Sequence, residues 1–327
     1  MKIGDFLVSS GMAFCFAVVL AFVLRRVFLK YGFLAVNGVP CAGGVVLTVA
    51  FLSAAFVLRV PAAQPAVFWK GLFIPAAGIA LFGFVDDLKN FSALKKLVFE
   101  IVFVAAWCFL AARTGIIMLK GTLDFLAAGI WMLWMINALN LLDVMDGLAG
   151  VSAGLACLGF AALSLRPAQP AAALLCAMLA ASLAGFLLFN WPPARMYMGN
   201  SGSHYIGFLL GALALLVAYA PEGTGTGLAS PLLVVGFFVF DTVYLVGMRL
   251  RRGIHPFHKS PDHLGLRLLG LGFSKQRVLL VCLGLCFLWG ACAFLFRHAG
   301  SGLVGFSAVA CAVSASLAVG KKAAHFS

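Results

Sequence analysis

Residues 131–149 of the chain read Trp-Met-Leu-Trp-Met-Ile-Asn-Ala-Leu-Asn-Leu-Leu-Asp-Val-Met-Asp-Gly-Leu-Ala. Six apolar residues lead into polar ones that recur every three positions, at Asn137, Asn140, Asp143 and Asp146. Because residues three apart are neighbours on a helix surface, this spacing predicts a row of amides and carboxylates along one helix end. Packing explains such a row poorly, so the stretch predicts a polar site where an apolar helix ends.

The chain as a whole is too apolar for a soluble core. Of its 327 residues, 64% are hydrophobic and only 10% are charged, which is typical of a protein that lies in a bilayer. Segments long enough to span one are predicted near residues 6–24, 43–58, 66–85, 97–112, 122–141, 148–165, 171–190, 204–220, 228–248, 278–296 and 302–320. The second is short. We therefore predict an all-α integral membrane protein, a polytopic bundle of about 10–11 transmembrane helices that forms a single domain over residues 1–327.

The basic residues predict the orientation of this bundle. Sixteen of the 23 lysines and arginines fall in alternate loops, and short basic loops stay on the cytoplasmic side. The amino terminus is therefore expected outside and the carboxyl terminus inside, with the active site on the cytoplasmic face. The formal charge of +13 has the same explanation, because these residues flank spans and do not form the basic face of a nucleic-acid-binding domain.

Three further blocks add polar groups at the same membrane face. Asp86 and Asp87 follow an apolar segment and precede Lys96; either they belong to a site, or they only cap the next helix and balance its lysines. Residues 190–204 combine a Pro-Pro turn with glycines and serines, and the amides that start the next helix are suited to hold an anion. Residues 249–263 contain three arginines and three histidines among turn formers, a composition suited to phosphates.

Together these blocks provide carboxylates and amides for Mg²⁺ and cations for a diphosphate. Mg²⁺ prefers oxygen ligands and is commonly shared between carboxylates and substrate phosphates. Phosphoryl transfer needs mainly positioning and charge neutralisation. The residues by themselves therefore indicate a metal-assisted transfer from a phosphorylated cytosolic compound, with a lipid as a candidate second substrate.

The motifs, in this order, resemble those of the polyprenyl-phosphate N-acetylhexosamine-1-phosphate transferases of glycosyltransferase family 4. The matching pieces are Pro40 with Ala42-Gly43-Gly44, Phe84-Val-Asp-Asp87 with Lys96, residues 137–149, Met198-Gly199 with Ser201-Gly202-Ser203, Asp241-Thr242, and the loop from His255 to Leu268. The resemblance implies that a UDP-amino sugar donates N-acetylhexosamine 1-phosphate to undecaprenyl or another polyprenyl phosphate. Release of UMP, a requirement for Mg²⁺ and a place at the first membrane step of cell-envelope polysaccharide synthesis are implied as well.

The same resemblance implies a location, partners and residue roles. The location is the bacterial inner membrane, and the partners are the UDP-amino sugar, the lipid and a second copy of the chain as a candidate homodimer, without nucleic acid. The implied catalytic residues are Asp86, Asp87, Asp143 and Asp146; the substrate-binding residues are Lys96, Asn137, Arg251, His255 and His263; and the metal ligands are Asn140, Asp143 and Asn200. Asp86 and Asp87 would serve the acceptor phosphate, one of them as base or nucleophile.

Two positions depart from the family pattern. Asn200 stands where a metal-binding aspartate is usual, and Leu266 stands where a second loop histidine is usual. Three hypotheses follow: an active transferase with an altered metal site, a catalytically impaired member that binds a lipid phosphate or partner enzymes, and a secondary transporter. A transporter is expected to hold charges near the bilayer midplane. Glu100 is predicted inside a span, but it is expected to pair with Lys96, one turn before it.

Overall fold

The computed structural model describes residues 3–57, 66–113, 121–165, 170–218, 226–255, 260–299 and 303–324. Over these ranges the chain is almost entirely helical, with one small hairpin. The helices are Ile3–Tyr31 (α1), Gly43–Val57 (α2), Ala66–Lys89 (α3), Ala93–Arg113 (α4), Thr122–Leu142 (α5), Leu148–Leu165 (α6), Pro170–Asn190 (α7), Gly199–Ala218 (α8), Thr226–Val234 (α9), Gly236–Arg251 (α10), Leu264–Gly270 (α11), Lys275–Ala299 (α12) and Leu303–Ala324 (α13). The strands are Ala35–Val36 (β1) and Val39–Pro40 (β2).

Within the described residues, helices occupy all eleven predicted apolar segments, which confirms the all-α polytopic membrane fold. Among the described residues, eight helices are long and apolar enough to cross a membrane: α1, α3, α5, α6, α7, α8, α12 and α13. The ninth predicted segment, 228–248, is divided at Val235 into α9 and α10. The short helix α11 and the hairpin were not predicted.

Helix α8 forms the centre of the bundle. Every residue from Ser201 to Ala214 is buried, and the helix packs against α2, α3, α5, α6 and α9. Around it, α7 packs on α1 and α6, and α12 packs on α6, α9 and α13. Because its neighbours surround α8, the start of this helix has a fixed position relative to the ends of α3 and α5.

Two glycines allow the backbones of α2 and α3 to approach the first turn of α8. A Cβ atom at Gly83 of α3 would lie 2.6 Å from Ser201 Cα, and one at Gly44 of α2 would overlap the Ser201 side chain. Only a residue without Cβ permits this approach. Asp87 follows Gly83 by one helical turn, so the close contact brings its carboxylate against the first amides of α8.

The hairpin holds the segment that leads into α8. Its turn, Asn37-Gly38, has positive φ at both residues, 50° and 76°, as a tight two-residue hairpin turn requires. Directly after β2 the chain pairs with the segment before α8: the Tyr197 N–H donates to the Pro40 carbonyl and the Gly43 N–H donates to the Tyr197 carbonyl, both at 2.9 Å. The Pro40 to Gly44 motif therefore fixes the approach to residue 199.

Candidate active site

A pocket of about 1450 Å³ lies where the ends of α3 and α5 meet the starts of α4 and α8. Eight of the predicted site residues line it: Asp87, Lys96, Asn137, Asn140, Asp143, Asp146, Asn200 and His263. Asp86, Arg251 and His255 are not among the lining residues. Side chains that are far apart in sequence are thus collected at one end of the bundle.

The Asp87 carboxylate is held by the start of α8. It accepts hydrogen bonds from the backbone N–H groups of Asn200, at 2.8 Å, and Ser201, at 3.1 Å. The amino end of a helix carries a partial positive charge and free N–H groups, so it favours an anion. These amides were expected to suit an anion, and the anion that they bind in the structure is the Asp87 carboxylate.

The amide of Asn140 has a defined orientation. Its Nδ2 donates to Asn200 Oδ1 at 3.0 Å and to Ser203 Oγ at 2.9 Å. Both N–H groups are therefore in use, and the group left to face a ligand is the carbonyl oxygen Oδ1. Asn140 is thus prepared to act as an oxygen donor.

Asn137, one helical turn earlier on α5, is oriented in the same way. Its Nδ2 donates to Glu100 Oε2 at 2.6 Å and to the Leu133 carbonyl at 2.9 Å. The expected pair between Glu100 and Lys96 is wrong. Glu100 Oε1 lies 3.1 Å from His204 Nε2, because the first turn of α8 brings His204 against α4, while the Lys96 amine pairs elsewhere.

The partner of Lys96 is Asp86. Lys96 Nζ lies 2.6 Å from Asp86 Oδ2, and Asp86 Oδ1 accepts a hydrogen bond from the Phe91 N–H at 2.8 Å. Asp86 is fully buried and ties the end of α3 to the start of α4, as the cap hypothesis expects. Its catalytic assignment stays a prediction, and Lys96 is the member of this pair that faces the pocket.

Asp143 follows directly after α5. Burial raises the pKa of this carboxyl to about 7, and the carboxylates of Asp87 and Asp146 add to the shift. Negative charge in this part of the pocket is therefore poorly compensated by the protein, and a cation would stabilise it.

These donors fit Mg²⁺. Mg²⁺ takes oxygen ligands in octahedral geometry and usually keeps waters or substrate phosphates, and the pocket offers carboxylates at Asp87 and Asp143 with the amide oxygen of Asn140. In the part of the chain that the structure describes, no three His, Cys, Asp or Glu side chains form a cluster that could hold an ion alone. The residues thus fit an ion that is shared with amide oxygens and a phosphorylated substrate.

Asp146 lies at the edge of the pocket and links three segments. Its Oδ2 atom is 2.8 Å from Lys275 Nζ at the start of α12 and accepts a hydrogen bond from the Ala194 N–H at 3.3 Å. These contacts join the turn after α5 to the Pro-Pro loop and to α12. Lys275 was not singled out from the sequence, since nothing in its local pattern relates it to a motif so far away.

Helix α10 contributes the arginine that lines the pocket. Thr242, Val246 and Arg249 all face it, at the i, i+4 and i+7 spacing of one helix face. Arg249 is buried, and its Nε donates to Ser260 Oγ at 3.0 Å. The arginine predicted from the sequence, Arg251, is exposed instead. Extending the Asp241-Thr242 motif by helical phase would have identified Arg249.

The loop after α10 adds one histidine to the lining. His263 is buried, and burial, with a contribution from Arg249, lowers its pKa to about 4. Its ring is therefore neutral at physiological pH. Leu266, the departure from the family pattern, also lines the pocket. His255 is exposed, and the neighbouring residues 256–259 of the predicted phosphate loop lie outside the described residues.

Comparison with known sequences supports the resemblance. The sequence model of glycosyl transferase family 4 matches residues 69–218, which include the ends of α3 and α5 and the start of α8. A phospho-N-acetylmuramoyl-pentapeptide-transferase of Bacillus cytotoxicus is 27% identical over 311 residues, which cover 83% of this chain and 91% of the relative.

Two other relatives match over a shorter region. A Bacillus subtilis protein described as a probable undecaprenyl-phosphate N-acetylglucosaminyl 1-phosphate transferase is 26% identical over 45% of this chain and 42% of its own length. A decaprenyl-phosphate N-acetylglucosaminephosphotransferase of Mycobacterium leprae is 33% identical over 41% of this chain and 37% of its own length. The chain thus spans less than half the length of these two relatives. The chain is thus a multi-pass membrane protein whose residues 69–218 match the sequence model of glycosyl transferase family 4.

Proposed function

We propose that the protein transfers an N-acetylhexosamine 1-phosphate from a UDP-sugar to undecaprenyl phosphate and releases UMP. The observation that carries this proposal is the meeting of carboxylates, cations and an apolar side in one pocket. Asp87 and Asp143 suit a metal with phosphates, while Leu94 and Trp134, both exposed, suit an isoprenoid chain. A nucleotide sugar and a lipid phosphate together need carboxylates for a metal, cations for phosphates and an apolar surface for the lipid chain. The names of the relatives, which act on polyprenyl phosphates or N-acetylated sugars, support the same reaction.

The proposed reaction is a displacement at phosphorus. An oxygen of the lipid phosphate attacks the β-phosphorus of the UDP-sugar, and a new P–O bond forms. The bond between that phosphorus and the oxygen that bridges to the α-phosphorus breaks, and this oxygen leaves with UMP. Such a transfer depends on positioning and charge neutralisation. Lys96 and Arg249 would neutralise the charge of the phosphates. His263 would form a hydrogen bond with the UDP-sugar.

The acidic wall has two proposed tasks. Asp87, whose two oxygens are fixed by backbone N–H groups, is the candidate base for the acceptor phosphate. Asp143, Asn140 and Asn200 would hold Mg²⁺, which when bound would offset the charge that develops on the diphosphate. Asn200 supplies an amide where a carboxylate is usual in the family, so a catalytically impaired member is the competing proposal.

We further propose that the pocket faces the cytoplasm of a bacterial inner membrane. Lys96 lines it, and Lys89, the last residue of α3, and Lys95, in the first turn of α4, are close to Lys96 in sequence; basic segments of this kind stay inside. A cytosolic UDP-sugar would reach the pocket from that side.

The experiment is a UMP-release assay on the full chain purified in detergent. With Mg²⁺ and undecaprenyl phosphate, we expect at least one member of a panel of UDP-amino sugars to yield UMP, and only when the lipid is present. The Asp143→Asn variant gives the background rate. If the whole panel fails while lipid phosphate still binds, the impaired alternative is correct and the proposed activity is not.

A further inference from the structure

The geometry points to the Glu100–His204 pair as a buried positioning clamp that orients the polar wall of the pocket. The residues belong to α4 and α8, and neither is placed in the reaction proposed above. The inference rests on the proposed function for its catalytic consequence, but not for its structural one.

The Glu100–His204 pair is deeply buried. Each side chain is only 1% exposed, and Glu100 Oε1 lies 3.1 Å from His204 Nε2. A buried carboxylate–imidazole pair loses hydration that its mutual attraction repays incompletely, and apolar residues of similar volume often serve stability as well or better. We therefore infer that the Glu100–His204 pair has a role other than stabilising the fold. The other contacts of the two side chains show what this role is.

Glu100 determines which atom Asn137 presents to the pocket. Its second oxygen, Oε2, accepts the 2.6 Å hydrogen bond from Asn137 Nδ2, and the other N–H of that amide goes to the Leu133 carbonyl. Both partners accept only, so the amide must direct its NH₂ toward them. The Asn137 carbonyl oxygen is left for the pocket. Without Glu100 the amide would be free to turn and present N–H groups there.

His204 holds the first turn of α8. Its Nδ1 lies 2.6 Å from the Asn200 carbonyl oxygen, and because a carbonyl only accepts, Nδ1 is the donor in this hydrogen bond. The next backbone groups of this turn, the N–H groups of Asn200 and Ser201, are those that bind Asp87. His204 is thus connected through one peptide to the candidate base and to the candidate metal ligand.

The two halves of the clamp act on two helices, α5 and α8, that line one pocket. Through Glu100 it sets Asn137 on α5, and through His204 it sets Asn200 and, indirectly, Asp87. The 3.1 Å contact between Glu100 Oε1 and His204 Nε2 joins the halves, so that the orientation of one depends on the other. Partners in this outer layer around a reactive site commonly affect activity by about 10–100-fold when they are removed.

The test compares Glu100→Leu, His204→Leu and the double variant with the parent chain. Hydrogen–deuterium exchange over residues 199–204 is the readout that needs no activity. We expect exchange in this segment to become faster in His204→Leu, with the rest of α8 unchanged. Parental exchange at 199–204 in both single variants would overturn the clamp, whether or not the protein turns over substrate.

Turnover provides the second readout. We expect kcat to fall by about 10–100-fold in each single variant, with a smaller change in the KM for the UDP-sugar. The double variant should match the single ones, because residues that act as a unit are not additive. Losses that multiply would contradict a joined clamp. If the parent itself releases no UMP, the proposed function fails, and the exchange experiment still decides the inference.

Conservative variants separate positioning from charge. Glu100→Gln retains an oxygen for the Asn137 N–H and a polar group of the same size opposite His204 Nε2, so we expect kcat to stay within a few-fold of the parent. Ser316→Ala is the matched control for loss of a buried hydrogen bond, since Ser316 Oγ accepts from Trp289 Nε1 at 3.1 Å, away from the pocket. It should lower thermal stability without changing exchange at 199–204 or kcat. A Glu100→Gln variant as impaired as Glu100→Leu would overturn the hydrogen-bond assignment.

Discussion

At the scale of single residues, the pocket depends on how its amides are oriented. Asn137 and Asn140 use every N–H they have, on Glu100 and Leu133 in one case and on Asn200 and Ser203 in the other. The side-chain carbonyl oxygens of the two amides are therefore the atoms left to contact a ligand. This accounts for the three-residue spacing in the sequence: one helix face presents two amide oxygens and then the Asp143 carboxylate, an arrangement that suits a hard cation.

Asn200→Asp tests whether position 200 belongs to the metal site. Aspartate keeps the oxygen that accepts the Asn140 hydrogen bond and adds one negative charge. The Mg²⁺ concentration for half-maximal UMP release should fall about tenfold, equivalent to about 1.4 kcal/mol. Asn37→Asp, in the exposed hairpin turn, adds the same charge elsewhere and is the control. A Mg²⁺ titration that is unchanged in Asn200→Asp would remove this residue from the metal site.

Asp143→Asn should affect activity and stability in opposite directions. A pKa raised to about 7 means that ionised Asp143 destabilises the metal-free fold as pH rises above the carboxyl's unfolded value. Removing the charge should leave the melting temperature at neutral pH unchanged or raise it, while turnover falls about a hundredfold or more. Asp124→Asn, at the other end of α5, should leave turnover unchanged. A clear loss of thermal stability in Asp143→Asn would show that the carboxylate is structural.

At the scale of helices, the site depends on close packing of α3 against α8. Gly83→Ala would bring Cβ within 2.6 Å of the Ser201 backbone, so α3 or α8 must shift. We expect a cost of about 1–3 kcal/mol, measured as a lower melting temperature, together with lower turnover because the Asp87 contacts loosen. Gly129→Ala on α5, where no atom lies within 4 Å of the added Cβ, should be neutral or slightly stabilising. Equal effects of the two substitutions would contradict the role of this contact.

Most of the helices were predictable because they lie in apolar segments of about membrane length, whereas the seven-residue α11 has no such signal. What the sequence left open were contacts between segments. The Asp86-Asp87 pair looks like one unit in sequence, yet helical geometry directs Asp86 to Lys96 and Asp87 to α8. Similarly, Glu100 and Lys96 are neighbours on one helix face, but each finds its partner on another segment. Local spacing fixes which side chains share a face, and only tertiary packing decides what that face meets.

At the scale of the whole molecule, most of the residues that line the candidate site could be predicted from the sequence. Residues of α3, α5 and α8 were expected to converge because their motifs follow apolar segments at one membrane face, and they line one pocket. The choice between Arg249 and Arg251 depended on helical phase, and His255 and Arg251 remain outside the lining. Lys275 joins Asp146 from more than a hundred residues away, a contact that no local pattern encodes.

The orientation of the molecule is a separate prediction. Because the basic residues concentrate on one side, the end of α13, with Lys321 and Lys322, should face the cytoplasm. Green fluorescent protein fused after this end should fluoresce, and alkaline phosphatase fused there should be inactive. Active phosphatase at that position would show that the opposite orientation is correct. A cytosolic UDP-sugar could then not be the donor.

The central claim is that one pocket brings a diphosphate donor and a lipid phosphate into reaction. The most direct measurement uses UDP-N-acetylglucosamine labelled with ³²P at the β-phosphate, with undecaprenyl phosphate, Mg²⁺ and the purified chain. The account predicts that the label moves into the lipid fraction in equal amount to the UMP released. Label that stays in UDP-N-acetylglucosamine across the full range of Mg²⁺, or that appears as water-soluble sugar phosphate, would contradict it.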